Sequence, residues 1–191
     1  MIAVIAAYLR ERFKPGIFGP AAAVHAAAAL WVTGRSPAVA TSALALGLAV
    51  ALLLQFRLWD DLEDRELDRQ RDPARVLTRS DPAPFRRICV LLTIVNLLLI
   101  AVARFRAAVL GLGCLDLFFL LAYRQLRPRV PDRIWRFQVL LLKYPVFVGL
   151  VAAALAPLRP LRLMSAAAVV YAFACAYEVL HDRQLPLGAI S

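Results

Sequence analysis

Long apolar blocks separated by short charged connections dominate the pattern of this chain. Six blocks contain almost no charged side chains: residues 17–33, 37–56, 88–103, 107–122, 137–156 and 163–180. A helix that crosses the hydrocarbon core of a membrane needs about 20 mostly apolar residues. Strict alternation of apolar and polar positions, which would predict strands, is absent from these blocks. The pattern therefore predicts an all-α bundle of about six transmembrane helices, forming one membrane domain over residues 1–191.

The segment before the first block has its own pattern. Its first nine residues are mostly apolar, and Arg10, Glu11, Arg12 and Lys14 follow them. An apolar helix flanked by basic residues is typical of segments that lie in the plane of the membrane surface. We therefore expect residues 1–16 to form an interfacial segment.

The basic residues are distributed unequally between the two sides of the predicted bundle. Of the 23 lysines and arginines, 17 fall in residues 1–16, 57–87, 124–136 and 181–191, and five fall in the alternate connections. Membrane proteins keep their positive loops in the cytoplasm. We therefore expect both termini and residues 57–87 in the cytoplasm, with the bundle in the inner membrane of a bacterium. This placement accounts for the net charge of +10 without a nucleic-acid partner.

Residues 57–87 are expected to form a cytoplasmic loop rich in aspartate and arginine. They hold eight of the 13 acidic residues and eight arginines. If the second span continues into this segment as a helix, Asp61, Asp64 and Asp68 lie on one face. Such a stripe needs either neighbouring arginines or a divalent cation to relieve its repulsion. Carboxylate oxygens suit Mg²⁺ that is bound together with substrate phosphates, and the charge pattern alone leaves both interpretations open.

A second acidic cluster closes the last apolar block. Glu178 and Asp182 lie four residues apart, as do Tyr177 and His181. Residues at this spacing share one face of a helix. Because both clusters emerge on the same predicted side of the bundle, they favour a shared metal site.

The sequence DDLEDRELD resembles the first aspartate-rich motif of UbiA-type membrane prenyltransferases, in which Asn or Asp precedes Asp-x-x-Asp-x-x-x-Asp. The match falls on Asp60, Asp61, Asp64 and Asp68, and the arginines that follow, Arg75 and Arg79, are similar to a Pro-x-Arg-Pro stretch of the family. In the family the first motif follows helix 2 and the second follows helix 6. The two acidic clusters of this chain follow its second and sixth predicted spans, so the positions agree.

The second motif departs from the family pattern. Glu178 and Asp182 stand at its first two acidic positions, and Pro186 stands at the third. Family members surround their substrate cavity with about nine helices, and six are predicted here. We therefore expect a second copy of the chain or a separate membrane subunit to complete the cavity wall beside span 1 or span 6.

The resemblance implies a Mg²⁺-dependent enzyme that transfers a prenyl group from a prenyl diphosphate to an acceptor, usually an aromatic one. It implies that the acids of both motifs bind magnesium: Asp60, Asp61, Asp64, Asp68, Glu178 and Asp182. It implies substrate binding by Arg57, Arg75, Arg79, Tyr177 and His181. Catalytic roles fall to Asp61, Asp64, Asp68 and Lys143. Two alternatives share this site, namely a terpene cyclase of the same family and a protein that binds prenyl diphosphate without catalysis or acts as a partner subunit.

Two charged residues fall inside predicted spans. Asp116 and Lys143 lie at similar depth in spans 4 and 5, roughly 10–12 Å from the cytoplasmic edge at about 1.5 Å per helical residue. Because an isolated charge in hydrocarbon is costly, we expect these two side chains to form an ion pair. In the alternative interpretation, Lys143 and Tyr144 face the substrate pocket. His25 and Asn96 fall at a similar depth and are candidates for the pocket lining.

Aromatic side chains in spans 4 and 6 have two possible roles. Their ring faces can stabilise a cation such as an allylic carbocation, or they can simply pack in the core or face lipid. The residues in question are Phe118, Phe119, Tyr123, Tyr171 and Phe173.

Overall fold

A computed structural model describes residues 2–34, 38–102, 106–131 and 134–181. Over these residues the chain is helical and contains no strand. The α-helices are α1 (Ile2–Arg12), α2 (Pro15–Thr33), α3 (Val39–Glu63), α4 (Arg65–Arg71), α5 (Val76–Arg79), α6 (Ala83–Val102), α7 (Arg106–Leu121), α8 (Lys143–Leu155) and α9 (Pro160–His181).

The expectation of an all-α membrane bundle is confirmed at the level of helix length and composition. Five helical stretches in the described part of the chain are long and apolar enough to cross a membrane: Pro15–Thr33, Val39–Glu63, Ala83–Ala101, Ala108–Leu126 and Pro160–Leu180. The fifth predicted span, residues 137–156, corresponds to a shorter apolar helix, Leu140–Leu155. Its shortness has a local cause, because the backbone winds as a π-helix over Trp135–Val139 and as a 3₁₀-helix over Leu140–Leu142 before α8 begins.

A second π-helical turn follows α7. It covers Ala122–Leu126, and its wider winding is closed by the hydrogen bond from the Arg127 N–H to the Ala122 carbonyl. Single π turns inside α-helices often occur at functional sites, where they change the direction of the side chains that follow. Both π turns of the described chain lie near the cytoplasmic edge predicted from the sequence.

Proline and glycine set the ends of α2. Pro15 occupies its first turn, where the missing N–H costs no intrahelical bond. Gly34 ends the helix with a φ of 67° and donates its N–H to the Trp31 carbonyl. Arg162 also donates to that carbonyl and lies over the Trp31 ring. These contacts join the end of α2 to the start of α9.

The core is formed where α2, α3, α8 and α9 pack around one another, with α6 and α7 on the outer side of α3 and α8. Ala22, Ala26 and Ala29 are buried along one face of α2. Such small side chains allow two helix backbones to approach closely, which favours packing in a membrane. Larger side chains of α3 and α8, such as Phe56 and Phe147, fill the centre.

Residues 57–87 fold into helices over most of their length. Helix α3 continues to Glu63, the short helices α4 and α5 follow, and α6 begins at Ala83. The condition for a single acidic face through Asp61, Asp64 and Asp68 is not met, because Asp64 caps α3 and the chain starts a new helix at Arg65. Each of these aspartates has its own basic partner, as described below, so their charges do not form one uniform acidic face.

Helix α1 packs on this connection. Tyr8 is buried in a small apolar cluster with Leu58, Leu77 and Phe85. The ring of Tyr8 meets that of Phe85 edge to face at 5.2 Å. Residues 2–12 are therefore fixed against α3, α5 and α6 by burial of one side.

Candidate functional site

A cavity of about 610 Å³ lies between α2, α3, α8 and α9. Apolar and aromatic side chains form most of its wall, including Phe18, Val24, Leu53, Phe56, Phe147 and Phe173. Charged side chains are grouped at one end: Glu11, Arg12, Lys14, Arg57, Asp60, Lys143 and Glu178. The cavity is thus amphipathic, with an apolar body and a polar end.

Lys143 and Asp60 form an ion pair at the polar end. The Lys143 Nζ donates to Asp60 Oδ2, and the Tyr123 hydroxyl donates to Asp60 Oδ1 at 2.5 Å. Only 4% of the Lys143 side chain is exposed. A buried ammonium needs an opposite charge and hydrogen bonds to offset its lost hydration. Lys143 obtains both from Asp60, at the point where α8 starts beside the end of α3.

The predicted ion pair between Asp116 and Lys143 is therefore wrong. Asp116 instead accepts a hydrogen bond from the Gln55 amide at 2.8 Å. Gln55 in turn accepts from Asn96 at 2.7 Å. The two predicted partners meet α3 at different places, Asp116 at Gln55 and Lys143 at Asp60. Asp116 meets it one and a half turns before Asp60.

Asp61 points towards α1. Arg12 binds it with two hydrogen bonds, from Nε at 2.8 Å and from Nη2 at 2.5 Å. The Tyr8 hydroxyl donates to the same carboxylate at 2.9 Å, and an Arg57 nitrogen lies 3.4 Å from it. Paired donation by one guanidinium is strong and directional. Burial raises the pKa of Tyr8, and the charge of Asp61 raises it further, so Tyr8 stays a neutral donor.

The remaining aspartates of the first motif have separate partners. Asp64 pairs with Arg127, and Asp68 pairs with Arg75, which also donates to Asp72. Burial raises the pKa of Asp64, and the Arg127 charge opposes this rise only in part. Of the four motif aspartates, Asp60 is the one whose side chain lines the large cavity.

The other predicted site residues divide into two groups. Arg57, Lys143, Tyr177 and Glu178 line the cavity, and among the described residues Arg75 and Arg79 do not. His181 is the last residue of α9, and Asp182 lies outside the described residues. Within the described chain, the structure thus brings residues of the first motif and of the second cluster to one cavity through Asp60 and Glu178.

The residues predicted to line the pocket within the membrane also divide into those that line the cavity and those that do not. His25 lines the cavity, with its Nδ1 2.7 Å from the Ala21 carbonyl and its ring 5.7 Å from that of Tyr144. Asn96 is fully buried between α3 and α6, away from the cavity. Of the predicted aromatic residues, Phe173 reaches the cavity wall, and Phe119 and Tyr123 pack in the core beside Phe56 and Trp135.

Sequence reasoning missed the contribution of the first sixteen residues to this site. Glu11, Arg12 and Lys14 line the polar end of the cavity. The signal was present, because an alternating acidic and basic run stood beside the apolar segment. Basic residues next to an apolar helix are so common at membrane surfaces that their sequence position could not distinguish a lipid contact from a ligand contact.

The metal-ligating side chains at this site can be compared with the coordination shell that magnesium prefers. Within the described residues there is no group of three or more metal-ligating side chains. Mg²⁺ often binds through one or two carboxylates and completes its shell with water and substrate phosphates. Three carboxylates line the cavity, and one of them, Glu11, accepts the Val76 N–H at 2.9 Å. The other two are Asp60 and Glu178, and the oxygens of Asp60 keep lone pairs beyond the two bonds that they accept. Asp60 and Glu178 are therefore the residues of the cavity wall that would hold a magnesium ion arriving with a phosphate ligand.

Comparison with known proteins adds no relative to this description. No protein family, curated protein or solved structure matches the chain.

Proposed function

We propose that this chain is a membrane enzyme that binds a prenyl diphosphate in the amphipathic cavity and transfers its prenyl group to an acceptor. The observation that carries the proposal is the division of one cavity into an apolar body and an end with four basic and three acidic side chains. Binding pockets for small molecules commonly measure about 300–1,000 Å³, and this cavity of about 610 Å³ falls within that range. An isoprenoid chain matches the aromatic wall, and a diphosphate matches the charged end.

Four cations support the assignment of the head group. Arg12, Lys14, Arg57 and Lys143 face the polar end of the cavity. The Nε of Arg57 is buried and has no hydrogen-bond partner among the described residues. A buried donor without a partner is costly, and a diphosphate oxygen would satisfy it. Guanidinium groups bind phosphate oxygens through paired, charge-assisted hydrogen bonds.

Asp60 and Glu178 are the residues that would hold magnesium. A bound magnesium ion supplies Lewis-acid stabilisation of a leaving diphosphate. The cations of this chain act in the same direction: as the allylic C–O bond breaks, its electron pair leaves with the diphosphate, whose growing charge is offset by Lys143 and the arginines. The roles of Asp61, Asp64 and Asp68 become indirect, because each is held by an arginine of its own.

The apolar wall would protect the allylic cation. The rings of Phe56, Tyr144 and Phe147 line the cavity, and aromatic ring faces attract cations. Exclusion of water from this wall would prevent hydrolysis of the cation before the acceptor attacks it. The proton released by an aromatic acceptor would then pass to a base or to water at the polar end.

The asymmetry of the basic residues supports a cytoplasmic location for the polar end. Arg12, Asp60 and Glu178 all lie at helix ends that the positive-inside rule assigns to that side. A prenyl diphosphate would then bind with its head group at the cytoplasmic surface and its tail in the membrane. We propose the inner membrane of a bacterium as the setting.

Purified protein in lipid nanodiscs tests the proposal. We expect Mg²⁺-dependent release of diphosphate from geranylgeranyl diphosphate in the presence of a membrane extract as the acceptor source. Lys143→Met should reduce binding of the prenyl diphosphate at least tenfold, and Arg79→Gln should not, because it removes an equal charge outside the cavity. A cyclic product formed without acceptor would favour the cyclase alternative. Binding without any product would favour the non-catalytic alternative. Absence of binding would exclude the transferase, the cyclase and the non-catalytic binding protein, and would leave the role of a partner subunit.

A further inference from the structure

A polar cluster lies inside the bundle, apart from the cavity. Asn96 of α6 donates to Gln55 of α3, and Gln55 donates to Asp116 of α7. Asn96 also donates to the Ala51 carbonyl at 3.2 Å. None of the three polar side chains lines the cavity, so the proposed function leaves this cluster without a role.

The charge of Asp116 is poorly compensated inside the chain. Gln55 offers it one neutral donor at 2.8 Å, and no lysine or arginine of the described residues forms an ion pair with it. Lys143, the cation that the sequence predicts as its partner, is held by Asp60. A carboxylate in hydrocarbon is expensive unless a cation or several donors approach it. Asp116 is also only partly buried, so a group from outside the chain can reach it.

The surface around Asp116 suits close approach of another helix. Leu110 and Leu117 are exposed on the outer face of α7. Gly113 and Cys114 between them are small and exposed, and a side chain placed on Gly113 would meet nothing within 4 Å. Small residues allow transmembrane helices to pack backbone to backbone. Asp116 lies three residues after Gly113 and therefore borders the same face.

We propose that the outer face of α7 binds a transmembrane helix of a different subunit, which carries an arginine or lysine at the depth of Asp116. Charge complementarity selects this occupant, because the carboxylate lacks a cationic partner and the adjoining surface is apolar with a shallow gap at Gly113. A second copy of this chain fits less well. The cations nearest that depth in its described spanning helices are Arg57, which lines the cavity, and Lys143, which is buried and paired with Asp60.

Two synthetic peptides test the proposal in bilayers. Each is a transmembrane helix of leucine and alanine with an acceptor dye at one end. One peptide carries arginine at its centre, and the other carries leucine there. Energy transfer from a donor dye on an amino-terminal tag of the protein measures binding in nanodiscs. We expect the arginine peptide to bind at least tenfold more tightly than the leucine peptide. Equal binding of the two would overturn the proposal.

Variants of the protein test whether Asp116 causes the preference for the arginine peptide. Asp116→Asn should bring the arginine peptide to the affinity of the leucine peptide, and Gly113→Leu should weaken both. Asp81→Asn, which changes an exposed acid before α6, should leave the difference intact. If the preference for arginine survives Asp116→Asn, the proposed charge pair is wrong. If a variant fails to fold, the comparison of the two peptides on the unchanged protein still tests the proposal.

Oxidative crosslinking tests the competing occupant. Cys114 lies on the same outer face and is exposed. A second copy seated on this face would bring two Cys114 side chains together and give a covalent dimer of the unchanged protein. Such a dimer in high yield would contradict a heterologous partner. Its absence, together with the tenfold preference for arginine, would support one.

Discussion

Lys143 donates to Asp60 across 83 residues of chain, and both side chains are buried where α3 ends and α8 begins. Tyr123 donates to the same carboxylate, so side chains from three membrane helices meet at the two carboxylate oxygens of Asp60. The pair also faces the cavity. A single contact therefore joins the packing of the bundle to the charge of the proposed head-group site.

Breaking this pair should destabilise the fold. Asp60→Asn leaves a buried ammonium without its counter-charge, which typically costs about 3–5 kcal/mol. The double variant Asp60→Asn with Lys143→Met should recover most of that loss, because the buried charge is gone. Thermal unfolding in mild detergent measures both. Asp116→Asn is the control, since it should not expose or unpair Lys143. A double variant that is no more stable than Asp60→Asn would show that Lys143 does not depend on this partner.

Arg12 should contribute to ligand binding, whereas Tyr8 should contribute to the position of α1. Arg12→Gln removes a cation from the cavity and is expected to weaken binding of inorganic diphosphate at least fivefold. Tyr8→Phe removes one hydrogen bond to Asp61, with a typical cost of about 1 kcal/mol, and should mainly increase amide exchange in α1. Arg10→Gln, an exposed change in the same helix, should alter neither quantity. Equal binding by the Arg12 and Arg10 variants would exclude Arg12 from the site.

Magnesium dependence should follow the carboxylates that reach the cavity. Glu178→Gln is expected to raise the Mg²⁺ concentration for half-maximal binding of prenyl diphosphate by about 10-fold or more, because it removes one of the two carboxylates that we propose as magnesium ligands. Asp68→Asn should change that concentration less than threefold, since Asp68 is paired with Arg75 and lies outside the cavity. Titration of tail-labelled prenyl diphosphate with MgCl₂ provides the measurement. The opposite ranking would return the metal to the aspartate motif that the sequence resemblance favours.

The apolar end of the cavity should limit the prenyl chain. Val24 and Phe173 line the cavity and are 47% and 68% exposed, so the cavity reaches the outer surface between α2 and α9. Ala174→Trp narrows this part and should reduce binding of a 20-carbon prenyl diphosphate at least tenfold, with little effect on a five-carbon one. Ala168→Trp, on the exposed side of α9, is the matched control. Equal effects on both chain lengths would place the tail elsewhere.

The opening between α2 and α9 is either exposed to lipid or covered by another protein. A lipid-exposed gap would let a prenyl tail enter from the bilayer in a monomer. Alternatively, a second copy or another subunit covers it, as expected from the sequence. Native mass measurement with crosslinking from a cysteine at Phe173 separates these outcomes. An active monomer without crosslinks would show that no covering protein is needed.

Positions of the helices could be predicted from the sequence because hydrocarbon imposes length and polarity directly. The apolar blocks match α2, α3, α6, α7, α8 and α9 to within a few residues at most ends. The grouping of acids with arginines was also visible. These properties depend on local composition, which a single sequence contains.

The pairing of those charges could not be predicted in the same way. Asp60 and Asp61 are neighbours in sequence, but one turns to Lys143 and the other to Arg12. Adjacent residues on a helix point about 100° apart, and which neighbour each meets depends on how the helices cross. Depth alone suggested Asp116 for Lys143, because sequence position gives depth and leaves rotation about the axis undetermined.

The two π-helical turns bear on how this protein tolerates insertions and deletions. Each turn contains one more residue than an α-helical path of the same height would need. Removing one residue from Ala122–Leu126 would turn Arg127 by about 100° away from Asp64, and the same change in Trp135–Val139 would turn Lys143 away from Asp60. Hydropathy, span length and membrane orientation would be nearly unchanged by either deletion. Two homologues could thus share every feature of topology and differ in activity by the gain or loss of a single codon.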